Sequence, residues 1–177
     1  MDNYREEIVV KKDRLFNTIA YALLMVVMIV SALIALLNFW SIGAGGNITY
    51  PIIMIVINGG VAALIWWKKD LLRTEYEYTF TNGDLDFAKV MANRRRKNLG
   101  TMKVKNVEAC GYVAGNGFRR YSTMPDVKKM NWFLNRGANL VYFYYQKESR
   151  KNMIIAEPSE EMVGMIRQYL PRGVWQD

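Results

Sequence analysis

Two long apolar segments occupy the first third of the chain. No Asp, Glu, Lys or Arg occurs in the 53 residues from Leu15 to Trp67. Inside this stretch, residues 15–40 and 48–67 are each long enough to cross a bilayer as a helix, because a span needs about 20 apolar residues. The first run is also longer than the apolar region of a signal peptide. The pattern therefore predicts a transmembrane hairpin over 15–67, with residues 41–47 as its short, uncharged connection.

Positive charges flank the predicted hairpin on one side only. Three cations lie within residues 11–14, before the first span, and Lys68 and Lys69 follow the second, whereas the connection has none. Cytoplasmic flanks of membrane spans are enriched in Lys and Arg, so this distribution predicts that both termini lie in the cytoplasm. We therefore expect a multi-pass protein of the cell membrane with a cytoplasmic N-terminal tail, residues 1–14.

Small and polar residues are sparse inside the predicted spans. Ser31, Ala35 and Asn38 share one helical face, and Gly59 with Ala63 forms a pair of small residues one turn apart. Such faces allow close helix packing, either within the hairpin or between copies of the chain. Neither span contains an ionisable residue, which is the usual mark of an ion or proton path. The sequence therefore favours an anchor, with homo-oligomerisation left open.

Strict alternation of apolar and polar residues begins just after the second span. In "RTEYEYTFTNGDLDFAKVM", residues 73–91, Asn82-Gly83 separates two alternating runs, which is typical of a two-residue type I′ hairpin turn. Since strand side chains alternate between faces, this hairpin has one apolar face and one polar face. The predicted buried face comprises Tyr76, Tyr78, Phe80, Leu85 and Phe87, and the predicted wet face comprises Glu75, Glu77, Thr79 and Asp86. Alternation explains these carboxylates more simply than a metal site or a catalytic pair.

Further strands and one helix are predicted up to the C-terminus. Partly alternating or apolar runs, the third with both faces apolar, indicate strands at 101–113, 131–135, 139–146 and 152–157. A helix over 159–170 follows, because Ser159 suits the N-cap and Pro171 stops the helix. Residues 114–131 show no clear strand pattern. We therefore predict about six or seven strands in antiparallel hairpins, and one C-terminal helix, within a cytoplasmic β domain over 68–177.

Two segments of this domain resemble a known family. "EYEYTFTNGDLDFAKVMANRRRKNL", residues 75–99, and "IIAEPSEEMVGMIRQYLPRGV", residues 154–174, are similar to the bacterial pleckstrin-homology-like (PH-like) domains that directly follow a two-span hairpin. The chain looks closest to a family of small two-span bacterial proteins of unknown function, whose helix ends in a similar "YLPR". The resemblance implies an α+β fold, with a transmembrane hairpin followed by an antiparallel β sheet or open barrel and one C-terminal helix. Its motifs are structural, so it assigns no catalytic or ligand residue.

Charge and residue usage narrow the chemistry that the chain can perform. The net charge of +8 arises after residue 67, where 20 Lys and Arg accompany 12 Asp and Glu. Cys110 is the only cysteine and histidine is absent. This excludes an intrachain disulfide, histidine zinc ligands and nucleophiles that need a histidine base. We therefore expect no enzyme activity, no cofactor and no metal site.

The densest charge in the chain lies in "NRRRKN", residues 93–98. Only "KKDLL", residues 68–72, separates the second span from the first predicted strand, so that strand starts near the bilayer and the next strand returns there. The turn that follows would then face lipid head groups. We hypothesise a basic collar against anionic lipid that comprises Arg94, Arg95, Arg96, Lys97, Lys68, Lys69 and Arg73. A solvated hairpin tip that resists edge aggregation is an equally good interpretation.

A second candidate surface lies in the irregular segment 115–131. Long segments without periodicity are often functional or mobile. The residues that could hold a phosphate or an acidic partner peptide comprise Arg119, Arg120, Tyr121, Lys128 and Lys129. A plain mobile loop explains the segment more simply, since no phosphate-loop pattern is present.

These features favour a non-catalytic, membrane-anchored module that binds a protein or an anionic lipid at the inner face of the membrane. The hairpin already holds the chain in the membrane, so lipid affinity would orient the domain more than recruit it, and a protein partner is the stronger expectation. The alternative is a subunit of an oligomeric membrane transport or channel assembly. Nucleic-acid binding is not expected, because a basic domain beside acidic lipid has a nearer polyanion.

Overall fold

The structure is a computed structural model that describes residues 3–44 and 48–176. These residues form two compact units. The helical unit comprises Asp13–Thr74, and the sheet unit combines the N-terminal segment up to Lys12 with the chain from Glu75 onward. The N-terminal segment thus belongs to the same unit as the β domain.

Two apolar helices make up most of the helical unit. Helix α1 spans Arg14–Ser41 and helix α2 spans Thr49–Lys68, with short 3₁₀ turns at Ile42–Ala44 and Lys69–Arg73. The stretches Leu15–Ser41 and Thr49–Arg73 have mean hydropathies of 2.8 and 1.7, so both helices are long and apolar enough to cross a membrane. Residues 45–47 of the predicted connection lie outside the described residues.

The small-residue face of α1 is partly covered within the hairpin. Ser31 is buried, and Ala35 and Asn38 are half-buried, although most of both helices is exposed. The side-chain amides of Asn38 and Asn58 donate to backbone carbonyls one turn earlier, at 2.8 and 3.0 Å. The polar side chains of both asparagines are therefore satisfied on their own helices.

The first sheet of the sheet unit, sheet A, has the strand order β1-β2-β3-β4. Its strands are β1 Tyr4–Val9, β2 Thr74–Thr81, β3 Asp84–Met91 and β4 Arg95–Lys103. Asn82 and Gly83 have φ angles of 49° and 94°, as the predicted two-residue turn between β2 and β3 requires. Every residue of the predicted apolar face is at most 9% exposed, which confirms the alternation.

Strand β1 forms from residues that were predicted to be an N-terminal tail. It pairs antiparallel with β2, from Tyr4 opposite Thr81 to Val9 opposite Tyr76. Arg5 and Glu7 take core-facing positions in this strand, so the apolar alternation that would reveal it is missing. Both are held by polar contacts with the C-terminal helix region, since Arg5 lies 2.5 Å from Glu161 and Glu7 accepts from the backbone N of Ser159 at 2.9 Å.

The second sheet, sheet B, has the strand order β6-β8-β7-β5-β9. Its strands are β5 Val107–Tyr112, β6 Val127–Trp132, β7 Val141–Lys147, β8 Arg150–Ala156 and β9 Trp175–Gln176. Strand β6 pairs with β8, and β9 with β5, in parallel, so the prediction of antiparallel hairpins alone was wrong. The described residues form nine strands in two sheets without a closed barrel, rather than six or seven strands.

Two segments between the sheets differ from the prediction. The strand predicted over 101–113 is split by a 3₁₀ turn at Val104–Asn106, so its two halves belong to different sheets. Residues 114–131, predicted as irregular, contain helix α3, Asn116–Ser122, and most of β6. Helix α3 has 7 residues, and only Phe118 and Tyr121 of its side chains pack on the sheet B cluster. Two apolar positions are too few to show the repeat from which a helix is predicted.

Sheet B is covered on both faces. The main core includes Val141 and Phe143 of β7, together with the buried face of sheet A and residues of the C-terminal helix. A second cluster, which contains Tyr142 and Tyr144, lies on the other face of β7, under Phe118 and Tyr121 of α3. The prediction that the run at 139–146 is apolar on both faces because it is a central strand is therefore confirmed.

The C-terminal helix, α4, spans Glu160–Tyr169. The Ser159 hydroxyl accepts a hydrogen bond from the backbone N of Met162 at 3.2 Å, which confirms the predicted N-cap. Met162, Val163 and Ile166 are buried in the main core.

Candidate functional site

One end of sheet A carries a cluster of cations together with both chain connections to the helical unit. Strand β1 ends at Val9, opposite Tyr76 near the start of β2. Because Asn82-Gly83 joins β2 to β3 at the far end, the turn at residues 92–94, between β3 and β4, lies at this same end. We call this end of the sheet the basic end of sheet A. It is defined by four residues, Lys89, Arg94, Arg95 and Lys97.

The four consecutive cations do not all lie in a turn, which corrects the prediction. Arg94 lies in the turn, whereas the next three begin β4, and all four are exposed. Arg96 is opposite Val90, and its Nε lies 2.7 Å from the Glu77 carboxylate. Within residues 3–44 and 48–176, no ion pair involves Arg94, Arg95 or Lys97.

Like charges face each other at the basic end. Lys97 on β4 lies directly opposite Lys89 on β3. Like charges in such a cross-strand pair destabilise a sheet, and Arg95 on the same face adds a further cation. A bound anion would relieve this repulsion, because Lys and Arg form charge-assisted hydrogen bonds with phosphate and carboxylate groups.

The other face of sheet A has a cleft of about 410 Å³. Its polar lining comprises Glu77, Thr79, Asp86, Arg96 and Asn98. Arg96 engages Glu77, and Asp86 accepts a hydrogen bond from Thr101. Among residues 3–44 and 48–176, no group of three or more His, Cys, Asp or Glu side chains could hold a metal ion. Glu77 and Asp86 on this face thus make cross-strand contacts.

The remaining cations of the predicted collar belong to the helical unit and lie over aromatic rings. Lys68 Nζ lies 4.7 Å from the ring centroid of Trp67, Lys69 Nζ 3.8 Å from that of Trp66, and the Arg73 guanidinium 3.9 Å from that of Tyr21. Tryptophan and tyrosine beside cations at the end of an apolar helix are typical of a membrane interface. Assembly of these three cations with the basic end into one collar stays a prediction.

The predicted partner loop is a helix and a strand. Arg119 and Arg120 are exposed on α3, and Lys128 and Lys129 are exposed on β6. Tyr121 instead packs on sheet B, with its ring centroid 4.9 Å from that of Tyr144. Helix α3 therefore covers sheet B, with Tyr121 as part of its packing, and β6 is an edge strand of that sheet. A partner surface formed by the four cations stays a prediction.

A match with a described family extends along nearly the whole chain. The family model described as "Bacterial PH-like domain (DUF6106)" matches residues 1–176. The chain belongs to this family. The match includes the two apolar helices and the sheet unit alike, so this bacterial PH-like chain carries both parts as one family feature. No curated protein and no solved structure matches the chain.

A polar network that the sequence did not reveal holds the N-terminal strand of this PH-like chain. The Asn135 side chain donates to the carbonyl of Val10 at 2.9 Å and accepts from the backbone N of Lys12 at 2.8 Å. Glu157 accepts from the backbone N and the side-chain amide of Asn135, at 3.0 and 2.8 Å. Asn135 thus pairs with the chain after β1 as a neighbouring strand would. Its partners lie far away in sequence, so no local pattern signals the contact.

The C-terminal segment is the second feature that sequence reasoning missed. Trp175 and Gln176 form β9 beside β5. The Trp175 ring lies 5.3 Å from that of Tyr112, and the Arg167 guanidinium lies 3.7 Å from the Trp175 ring. Gln176 Nε2 donates to the hydroxyl of Tyr121 at 3.2 Å. A tryptophan next to the C-terminus was the only local signal.

Two buried titratable groups near β5 are poorly suited to nucleophilic chemistry. Burial raises the pKa of the Cys110 thiol to about 12, with a smaller opposing effect of the Arg167 charge. Burial likewise raises the pKa of Tyr142 to about 12, and its hydroxyl has no hydrogen-bond partner among the described residues. Both groups are therefore neutral near pH 7, whereas a reactive cysteine needs a lowered pKa.

Proposed function

We propose that this chain is a non-catalytic, membrane-anchored PH-like module that acts at the inner face of the membrane. Its basic end binds anionic lipid head groups, and its sheet unit is thereby oriented toward a protein partner. One observation carries this proposal. Three cations without an ion partner in the described residues lie at the end of sheet A from which the chain runs to both apolar helices.

Short connections support a location of the basic end near lipid. Only residues 10–13 separate β1 from α1, and β2 begins directly after the 3₁₀ turn that follows α2. Each residue extends a chain by at most about 3.6 Å, so residues 10–13 limit how far the end of β1 can lie from the start of α1. If the helices cross a bilayer, the basic end is tethered close to its surface.

The energetics favour an orienting role. A Lys or Arg near an anionic membrane surface contributes about 1 kcal/mol, and salt weakens this contribution. Arg94, Arg95 and Lys97 together therefore supply about 3 kcal/mol at low salt. That energy is small beside the insertion of two apolar helices, but it is sufficient to select one orientation of the sheet unit.

Photocrosslinking of the full-length protein tests this proposal. A photoreactive residue replaces Arg95 in one variant and Arg120, on α3, in a matched control. Each variant is reconstituted in nanodiscs of phosphatidylcholine, with or without phosphatidylglycerol. We expect lipid adducts at position 95 in the anionic nanodiscs and few at position 120. Equal adduct yields at the two positions would contradict a lipid-binding basic end.

Full-length protein is necessary for this experiment. A fragment that starts at Arg73 would lack β1, which forms the edge of sheet A and contacts Ser159 and Glu161 through Glu7 and Arg5. Loss of binding by such a fragment would therefore not distinguish a damaged fold from a missing membrane contact.

The alternative function, a subunit of an oligomeric transport or channel assembly, has less support. Ser31 is buried inside the hairpin, and Asn38 and Asn58 donate to their own helices. Ser31 and the two asparagines therefore do not call for a second copy, whereas the predicted small-residue pair is not packed within the hairpin, since Ala63 is exposed and a Cβ at Gly59 would meet no atom within 4 Å. A defined oligomer crosslinked through α1 or α2 in native membranes would favour the alternative.

A further inference from the structure

The outer edge of β5 is occupied by the chain's own C-terminal segment. The backbone N of Cys110 donates to the carbonyl of Val174 at 3.1 Å, and β9 continues in parallel, with Trp175 opposite Cys110 and Gln176 opposite Gly111. Strand β5 has 6 residues whereas β9 has 2. The C-terminal segment therefore pairs with only part of this edge.

Two glycines make room for the segment. A Cβ at Gly111 would overlap the backbone carbonyl oxygen of Gln176. A Cβ at Gly117, on α3, would lie 2.6 Å from the side-chain oxygen of Gln176. Real side chains essentially never approach a backbone atom so closely, so the position of the Gln176 backbone depends on Gly111. The contact at Gly117 is with the end of a flexible side chain, which can move aside more easily.

An aromatic side chain anchors the segment. The Trp175 ring meets Tyr112 edge to face, at 5.3 Å and 86°, and the Arg167 guanidinium lies over it at 3.7 Å. Aromatic pairs and cation–π contacts of this kind depend on the ring and not on the chain that carries it. An aromatic residue of another protein could therefore make the same contacts.

The segment leaves one buried group unsatisfied. The Tyr142 hydroxyl lies under α3 without a partner among the described residues. The Tyr142 hydroxyl and the side-chain oxygen of Gln176 both lie next to Gly117. Each is 2.6 Å from the position that a Cβ on Gly117 would take. A buried hydroxyl without a hydrogen bond is costly. A different side chain in place of Gln176, with an acceptor that reaches Tyr142, would remove this cost.

We propose that the β5 edge is a strand-acceptor site for an extended peptide segment of a partner protein, and that residues 174–176 are its intramolecular occupant. The partner segment carries an aromatic residue, best tryptophan, in the position of Trp175, followed by a residue with a hydrogen-bond acceptor. A longer segment forms more backbone hydrogen bonds with β5 than β9 does. The tethered C-terminal segment keeps the site closed until a partner displaces it.

This inference deepens the protein-partner part of the proposed function and is independent of its lipid part. The β5 edge belongs to sheet B, whereas the basic end belongs to sheet A. Absence of lipid adducts at position 95 would leave the peptide site untouched. Absence of peptide binding would leave the lipid proposal untouched, so the two proposals fail separately.

Peptide binding to the full-length chain in detergent tests the site. The probe is a labelled peptide, LPRGVWQ, with the sequence of residues 170–176. Trp175→Ala removes the anchor of the intramolecular occupant, so this variant should bind the probe about ten-fold more tightly than the wild-type chain, because more of its sites are open. A probe with alanine in place of tryptophan should bind neither chain. Equal binding of LPRGVWQ to both chains, or to neither, would overturn the proposal.

Two glycine substitutions in the Trp175→Ala chain locate the binding. Gly111→Ala should abolish binding of the probe, because the added Cβ takes the space of the incoming backbone. Gly137→Ala is the matched control, since an added Cβ there meets no atom within 4 Å, and it should leave binding unchanged. Retained binding in the Gly111→Ala chain would place the probe elsewhere and overturn the proposal.

Hydrogen exchange of the wild-type chain tests the same site if Trp175→Ala fails to fold. The amide of Cys110 donates to the C-terminal segment, whereas the amide of Val113 donates to the carbonyl of Leu140, at 2.8 Å on the other side. If the C-terminal segment opens, Cys110 should exchange faster than Val113, and added LPRGVWQ should slow its exchange. Exchange of Cys110 only at the rate of global unfolding would overturn the proposal.

Discussion

In sheet A, one face packs into the core and the other carries an ion pair and cross-strand hydrogen bonds, whereas sheet B is covered on both faces. Glu77, Asp86 and Arg96 represent the polar face of sheet A. Tyr142 and Tyr144 occupy the corresponding second face of sheet B, under α3. Contact with an anionic surface suits the exposed cations Arg94, Arg95 and Lys97 at the basic end of sheet A, and exchange with another peptide suits the short C-terminal cover of sheet B.

The largest expected effect comes from removing packing on the second face of each sheet. Tyr144→Ala, on sheet B, should lower the free energy of unfolding by about 3–5 kcal/mol, because a large buried ring leaves a cavity. Thr79→Ala, on sheet A, should change it by no more than about 0.5 kcal/mol. Urea unfolding of the full-length protein, followed by circular dichroism, measures both. Similar values for the two variants would contradict the difference between the sheets.

Neutralising the basic end should weaken lipid contact without weakening the fold. Arg94, Arg95 and Lys97 all changed to Gln should cost about 3 kcal/mol of attraction to anionic lipid at low salt. The free energy of unfolding should be unchanged or slightly higher, because the repulsion between Lys89 and Lys97 disappears. Hydrogen exchange of residues 92–98 in anionic nanodiscs should become faster.

The control for this variant changes Arg119, Arg120 and Lys128 to Gln. It removes the same charge from α3 and β6, away from the basic end, and should leave exchange at residues 92–98 unchanged. If both triple variants speed exchange equally, net charge and not the position of the basic end controls lipid contact.

Two buried tyrosines should respond differently to loss of the hydroxyl. The Tyr78 hydroxyl donates to the carbonyl of Trp132 and accepts from the backbone N of Glu157, so Tyr78→Phe should cost about 1–3 kcal/mol. Tyr142→Phe removes a hydroxyl without a partner and should leave stability unchanged or raise it by up to about 1 kcal/mol. Thermal unfolding of the two variants compares them directly. A loss for Tyr142→Phe as large as that for Tyr78→Phe would show that the Tyr142 hydroxyl has a partner.

The smallest expected effect concerns the cap of α4. Ser159→Ala removes the hydrogen bond to Met162 and the contact with Glu7 of β1, and should cost about 1 kcal/mol. Ser122→Ala, near the C-terminal end of α3, is the control and should cost less than about 0.5 kcal/mol. Urea unfolding checks both values, and an unchanged midpoint for Ser159→Ala would mean that water replaces the cap.

Local chemistry predicted the elements that depend on residues close together in sequence. Asn82-Gly83 closes a hairpin between neighbouring strands, and Ser159 caps a helix through a contact with Met162. Strand β1 could not be predicted in this way. Its core-facing Arg5 and Glu7 are stabilised by contacts with the α4 region, which follows much later in the chain.

Of the candidate surfaces, only those that contain groups of charged residues were predicted from the sequence. The run of cations from Arg94 to Lys97 indicated an exposed basic segment, but alternation along β4 separates Arg96, paired with Glu77, from its neighbours. The β5 edge could not be predicted, because β9 has 2 residues and pairs in parallel with a distant strand. Such pairing depends on tertiary packing, which leaves no period in the sequence.

The most direct measurement is the yield of lipid adducts at position 95 of the full-length protein as the anionic fraction of the nanodisc increases. We predict that the yield rises with the anionic fraction and falls when salt is added, because salt screens the attraction between exposed cations and head groups. A yield that depends on neither variable would contradict the binding of anionic lipid by the basic end.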